Sequence, residues 1–272
     1  MNERAAPVFA AKTIDALEID DERSFQHVGL YADLKEILRR DGYSFRVLPA
    51  SLAGRWDRAL LLNLTFWGSG AGGDVLESAR IPADVVAHAA WHHLAARALS
   101  PASGAAGAAQ SAEALFLGEA IASAFDVYLV GRLLGHAPQS SFLESQVPAM
   151  AEAAEAAGLS DEGFEVMLEG IAGDPDGAFE DLRALLVDAT NALCACKDAD
   201  DALVATAAFD AHRFAPILHR YELSNWVLYA RAYANATPGP DAKAAAVDRT
   251  LRAQGAASIE WLTTNWVTPA IA

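Results

Sequence analysis

Basic residues are scarce in this chain. Lys and Arg together number 20 against 36 Asp and Glu, a net charge of −16 over 272 residues. Such a surface repels phosphates, so neither nucleic acid nor an anionic membrane is an expected partner. Cysteine is scarcer still. Cys194 and Cys196 are separated by one residue, which suits a structural disulfide poorly, and a reduced, cytoplasmic setting is the simplest reading. No uninterrupted apolar run reaches the ~20 residues of a membrane-spanning helix. The N-terminal stretch lacks the basic start and long apolar block of a secretory signal. Also missing are an internal repeat, a G-x-S-x-G elbow and a phosphate loop, since GSGAGGD (68–74) has no following Lys-Ser/Thr.

What is abundant is small and apolar. Hydrophobic residues make up 53% of the chain, charged residues 21%, and Ala alone more than a fifth. Strong strand formers are few, so the composition favours helices. Residues 1–26 read as a polar, acidic lead-in with one apolar patch. Helical spacing follows at 27–40, with Val28, Leu30, Tyr31, Leu34, Ile37 and Leu38 on one side and a stop at Asp41-Gly42. Residues 43–49 read as a short strand. The apolar run 58–67 fits a buried strand or a short helix equally well. From 81 onward the pattern is helical: 82–99, 112–134, 144–158, 161–171, 177–195, 200–217, 218–235 and 241–265. Turns are expected at 174–177 and 238–240. The Ala/Gly/Ser-rich linker 100–111 is too short to separate domains, so its flanking helices pair as a hairpin over 82–134. The expected architecture is one mainly α domain, 1–272, with a small β element in the N-terminal third.

One segment carries chemistry. In ADVVAHAAWHHLAARAL, His88 and His92 are four residues apart and share a helix face. That spacing lets two imidazoles chelate one cation. Asp84 lies one turn earlier on the same face, where it could orient His88. The next helix is apolar nearly all round, yet holds Glu119 and Asp126 close to one face. A carboxylate there is costly unless paired, protonated or bound to metal. Antiparallel pairing of position 98 with 113 sets Glu119 opposite His92 and Ser123 opposite His88. Two imidazoles and one carboxylate then converge and leave an open fourth position, as in a catalytic zinc site. His93, about a quarter turn away, is expected at the surface or beside the ligands. Asp126 is expected as a supporting partner. Trp91 is expected in the core.

The pattern His88-x-x-x-His92, followed by a helix with Gly118-Glu119-Ala120 and Asp126, resembles the gluzincin metallopeptidases over roughly residues 80–130. The resemblance implies zinc held by His88, His92 and Glu119. It also implies a His or Tyr from a later helix that hydrogen-bonds the oxyanion, a role open to His219 or Tyr221. The chain departs from the family at one position. The Glu that follows the first His, the general base of the family, is here Ala89, which takes no proton from water. Peptidase turnover is therefore expected to be slow or absent unless another carboxylate, Glu77 or Asp126, serves instead.

Other polar groups admit plainer readings. Asp210, His212, His219, Arg220, Tyr221 and Glu222 fit a solvated, salt-bridged face, with Asp210 capping a helix from about His212 and Pro216 breaking it. Cys194 and Cys196 are expected as buried thiols. Three functions stand open. The first is a metal-binding, gluzincin-like protein, either a divergent hydrolase or an inactive relative, with a peptide or protein as partner. The second is a helical di-metal carboxylate protein. The third is a non-enzymatic interaction module. Oligomeric state is not legible.

Overall fold

A computed structural model describes residues 9–66, 72–100, 110–234 and 240–272, except the side chains of Phe66, Arg220, Tyr221 and Tyr233. Most of the glycine loop 68–74, most of the linker 100–111 and the turn at 238–239 lie outside the described residues. The fold is mainly α, with three small two-stranded sheets toward the N-terminus.

The lead-in is more structured than its polarity suggests. Strand β1 (Ala10–Thr13), Ile14, strand β2 (Glu18–Asp20) and a 3-10 turn over Glu22–His27 precede helix α1 (Gly29–Arg40). Ile14 and Phe25 are buried, and the Phe25 ring packs 5.2 Å from Tyr31 and 6.0 Å from Phe142. The reading of 1–26 as a lead-in thus fails from residue 9 onward. Two apolar side chains anchor a segment too short to show a period. The apolar face of α1 is as the spacing predicts: Val28, Tyr31, Leu34, Ile37 and Leu38 are buried.

Strand β3 (Ser44–Val47) falls inside the predicted 43–49 and pairs antiparallel with β1, Ala10 opposite Val47. The apolar run 58–67 is a short helix only in its first half, as far as it is described. It divides into a short helix α2 (Arg58–Leu62) and strand β4 (Thr65–Phe66), with Leu60 and Leu64 exposed. Strand β5 (Gly73–Asp74) pairs with β4, and β6 (Arg80–Pro82) runs parallel to β2.

Two helices carry the rest. Helix α3 (Ala83–Ala98) and helix α4 (Ala112–Leu134) match the predicted hairpin within a residue. Ser111 caps α4 by accepting from the Ala114 N–H at 3.1 Å. Buried Phe116, Leu117, Ile121, Phe125, Leu129, Val130 and Leu133 fill the core round α4. Each such side chain contributes roughly 1.5–3 kcal/mol of burial. Among the described residues α4 alone is long and apolar enough to cross a membrane, and 83% of that window is buried inside the protein.

Helices α5 (Ser141–Ala156), α6 (Asp161–Gly173) and α7 (Pro175–Ala195) follow, and α4 packs chiefly on α7 and α3. Glycine makes one approach possible: a Cβ at Gly131 would stand 2.6 Å from the Ile171 carbonyl oxygen. The expected turn at 174–177 is instead a helix start. Asp174 accepts from the Gly177 N–H at 2.9 Å, and Pro175 opens α7, where a missing N–H costs nothing. Fully buried Arg183 on α7 donates to Glu180 and to Asp248.

The predicted helix 200–217 stops early. Helix α8 (Ala199–Ala207) ends well before Pro216, which sits in a 3-10 turn over Ala215–Ile217. No helix starts at His212, so Asp210 caps none there. Helix α9 (Arg220–Tyr233) then returns along α7. The predicted 241–265 helix is broken after α10 (Ala242–Gln254) by Gly255 at φ +55°, and continues as α11 (Ser258–Leu262), a π turn and α12 (Thr268–Ile271).

Candidate metal centre

The hairpin brings His88 and His92 of α3 against Glu119 of α4. Small residues set the spacing: Ala87, Ala90 and Ala95 are buried, and a Cβ at Gly118 would stand 3.2 Å from the Ala95 Cβ. The Nε2 atoms of His88 and His92 are 3.1 Å apart. Glu119 Oε2 lies 3.2 Å from His92 Nε2, and Oε1 lies 3.9 Å from His88 Nε2. All three residues offer a donor atom within 4.8 Å of the others. Two nitrogens each ~2.0–2.1 Å from a tetrahedral ion stand about 3.3 Å apart, close to the separation here. This is a donor set that can hold a metal ion.

Asp126 supports it from below. His88 Nδ1 is 3.0 Å from Asp126 Oδ2. The carboxylate only accepts, so Nδ1 is the donor in this contact and Nε2 is the nitrogen left to face Glu119 and His92. Asp84 does not take that role. It stays in the first turn of α3, where its own N–H and that of Val85 bond its carboxylate. Burial, reinforced by Asp126, pushes Asp84 up to about 6.

The electrostatics follow from burial. Burial raises Glu119 to about 7, against the opposing pull of His88. For His88, burial disfavours the charge, but Asp126 and Glu119 outweigh it and push the group up to about 9. His92 is driven well below its ordinary value by burial and by its neighbour His88, so it is neutral and ligand-ready. Glu119 is 6% exposed, and its Oε2 accepts no hydrogen bond despite the nearby imidazole. A buried carboxylate left that way costs several kcal/mol, which a cation would offset. The cationic side chains that might have satisfied it are engaged elsewhere: Arg97 pairs with Asp41, and Arg132 with Asp176 at 2.7 Å.

The other sequence candidates fall as follows. His93 is not beside the ligands. It points toward α1, its Nε2 2.7 Å from Asp41 Oδ2 and its ring 5.3 Å from Tyr43. Trp91 is fully buried against Phe125. Glu77 is exposed and pairs with Arg58, away from the centre. His219 is exposed and lines the cleft above the triad, while the Tyr221 side chain lies outside the described residues. His212 holds the Phe214 N–H at 3.2 Å and does not line the cleft. Cys194 and Cys196 are free and half-buried, and their carbonyls accept from Arg231.

The triad opens into a cleft of about 840 Å³. One wall is the hairpin, with His88, Ala89, Ser123 and Asp126. Opposite stand Leu182 and Leu186 of α7 and Leu223 and Trp226 of α9, with Asp74 at the β4–β5 end. Sequence reasoning missed Asp74 altogether; it placed Glu222 on a solvated face, or in the di-metal reading with His219, Glu119 and Asp126. Nothing in the spacing of Asp74 or Glu222 links either to residues 88–126; only the packing of α9 and the β4–β5 pair does. No family model, curated protein or solved structure matches this chain.

Proposed function

We propose that the protein binds one divalent metal ion, zinc, through His88 Nε2, His92 Nε2 and the Glu119 carboxylate, in a gluzincin-like core that lacks the family's general base. The observation that carries this reading is the convergence of two imidazole nitrogens on a buried carboxylate whose oxygen has no hydrogen bond. A bound ion would supply Lewis acidity at the floor of the cleft. The chain's own residues do the rest. Asp126 would hold His88 through Nδ1, Glu119 would balance the charge of the ion, and Leu182, Leu186, Leu223 and Trp226 would line the side facing it.

Ala89 sits where a general base would act, 4% exposed and lining the cleft. It moves no proton, so strong amide hydrolysis is not expected. Binding a peptide-like ligand, or slow hydrolysis assisted by another group, is the activity this arrangement supports. The di-metal alternative is less well supported, because it needs about four carboxylates at the ions. Here Asp126 is committed to His88 Nδ1 and Glu77 to Arg58, and although His219 and Glu222 line the cleft, the group within ligating distance among the described residues is His88, His92 and Glu119 alone.

Elemental mass spectrometry on untagged protein, wild type and His92→Ala, tests the reading. About one zinc per chain, lost in the variant, is expected. One iron per chain would keep the centre but replace its chemistry. Two irons would favour the di-metal alternative. No metal after zinc is added back would remove the site and leave a helical interaction module.

A further inference from the structure

The cleft has a charge of one sign. Asp74, Glu119, Asp126 and Glu222 all line it, and among the described side chains no Lys or Arg does. Neither Asp74 nor Glu222 is committed to a described cation: Asp74 accepts from the Thr65 hydroxyl at 2.7 Å, and Glu222 has no described ion pair. A divalent ion at the triad, which is what the proposed function supplies, leaves four carboxylates two charges in excess. Opposite, Leu182, Leu186, Leu223 and Trp226 supply an apolar part of the lining beside polar His219 and Asn225. At the floor the nearly buried Glu119 presents an oxygen with no hydrogen bond. Charge of one sign gathered in a cleft favours an occupant that brings the opposite sign.

We propose that the cleft selects a peptide segment in which a basic side chain, lysine or arginine, lies between apolar ones. Asp74 and Glu222 receive the cation at the cleft mouth, and the α7–α9 wall receives the apolar neighbours. Anionic ligands, phosphorylated or carboxylate-rich, are turned away by the same residues. This deepens the metal-centre reading, from which it takes the charge of the ion, but the selection lies in two side chains outside the donor set.

The test uses full-length protein with its metal content measured on each sample. Three fluorescein-labelled peptides differ in one residue type: Ala-Leu-Lys-Leu-Lys-Ala, and the same peptide with Gln or with Glu for Lys, all amidated. Binding is read by fluorescence anisotropy. The Lys peptide is expected to bind at least about tenfold tighter than the Gln peptide, with the Glu peptide weakest, and the preference is expected to shrink at about 0.5 M salt. The double variant Asp74→Asn/Glu222→Gln is expected to abolish the preference while its metal content and circular dichroism stay those of wild type. Equal binding of the three peptides, no binding of any, or a preference that survives the double variant overturns the proposal. The two readings fail separately. Metal-free protein that keeps the Lys preference loses only the metal centre. Metal-loaded protein without the preference loses only the selection.

Discussion

The Nε2 atoms of His88 and His92 face each other at 3.1 Å, while the far nitrogen of His88 is held by Asp126 at 3.0 Å. With Nδ1 held as the donor to Asp126, Nε2 is the His88 nitrogen that faces the interior of the triad. An ion held at the triad would therefore feel Asp126 through His88. Asp126→Asn can offer an amide N–H to Nδ1 and so favour the wrong tautomer. Zinc affinity, read by competition with a chromogenic chelator, is expected to fall about 10–100-fold, the range for lost partners of ligating histidines. Unchanged affinity would detach Asp126 from the centre.

Position 89 decides whether hydrolysis is latent. Ala89→Glu places a carboxylate next to the first histidine, on the cleft wall. In zinc-loaded protein this variant is expected to cleave a fluorogenic casein digest at least about 100-fold faster than wild type, the low end of what a positioned base contributes. A folded, zinc-loaded variant with no gain would count against the gluzincin-like geometry.

Asp84 gives stability a pH signature. Burial and Asp126 raise it from 3.8 to about 6 in the folded protein. A carboxyl raised on folding keeps its proton longer in the native state. Its contribution is therefore best below the unfolded value, falls as pH rises toward 6, and stays unfavourable above. Asp84→Asn removes that loss while keeping an acceptor for the helix N-terminus. Urea unfolding is expected to show no difference from wild type near pH 3.5, and stabilisation on the order of 1–2 kcal/mol near pH 7.5. A variant less stable than wild type at the higher pH would mean that Asp84 is stabilised as the anion.

Gly131 is a packing requirement. An added Cβ would meet the Ile171 carbonyl oxygen at 2.6 Å and Pro175 at 3.0 Å. Since both neighbours belong to the backbone frame of α6 and α7, neither can yield as a side-chain tip does. Gly131→Ala is expected to cost about 1–3 kcal/mol in chemical denaturation despite the better helix propensity of Ala. A neutral or stabilising result would show that the α4–α6 approach is loose.

The hairpin is the most legible stretch of the chain. Its helices are long, its caps and breaks are local, and the pairing of 98 with 113 sets Glu119 against His92, where they stand 3.2 Å apart. What escapes the sequence depends on distant partners. His93 looks like a neighbour of His92, but Asp41 at the end of α1 draws it away. Phe25 looks solvated among Glu, Arg and Gln, until Tyr31 and Phe142 cover it. The 3-10 turns and two- to four-residue strands of residues 10–82 carry no period to read. Asp74 and Glu222 reach the cleft from elements that no spacing relates to the hairpin.

The three donors all fall between residues 88 and 119, whereas the wall facing them comes from 182–226. Donors and wall are written in separate stretches of the chain and can vary independently. Substitutions in the later stretch can change what is admitted while the donors stay as they are. A loss at the donors would leave a shaped, acidic cleft still able to grip a partner. Changes in either stretch alone can thus alter one side of the cleft while the other stays as it is.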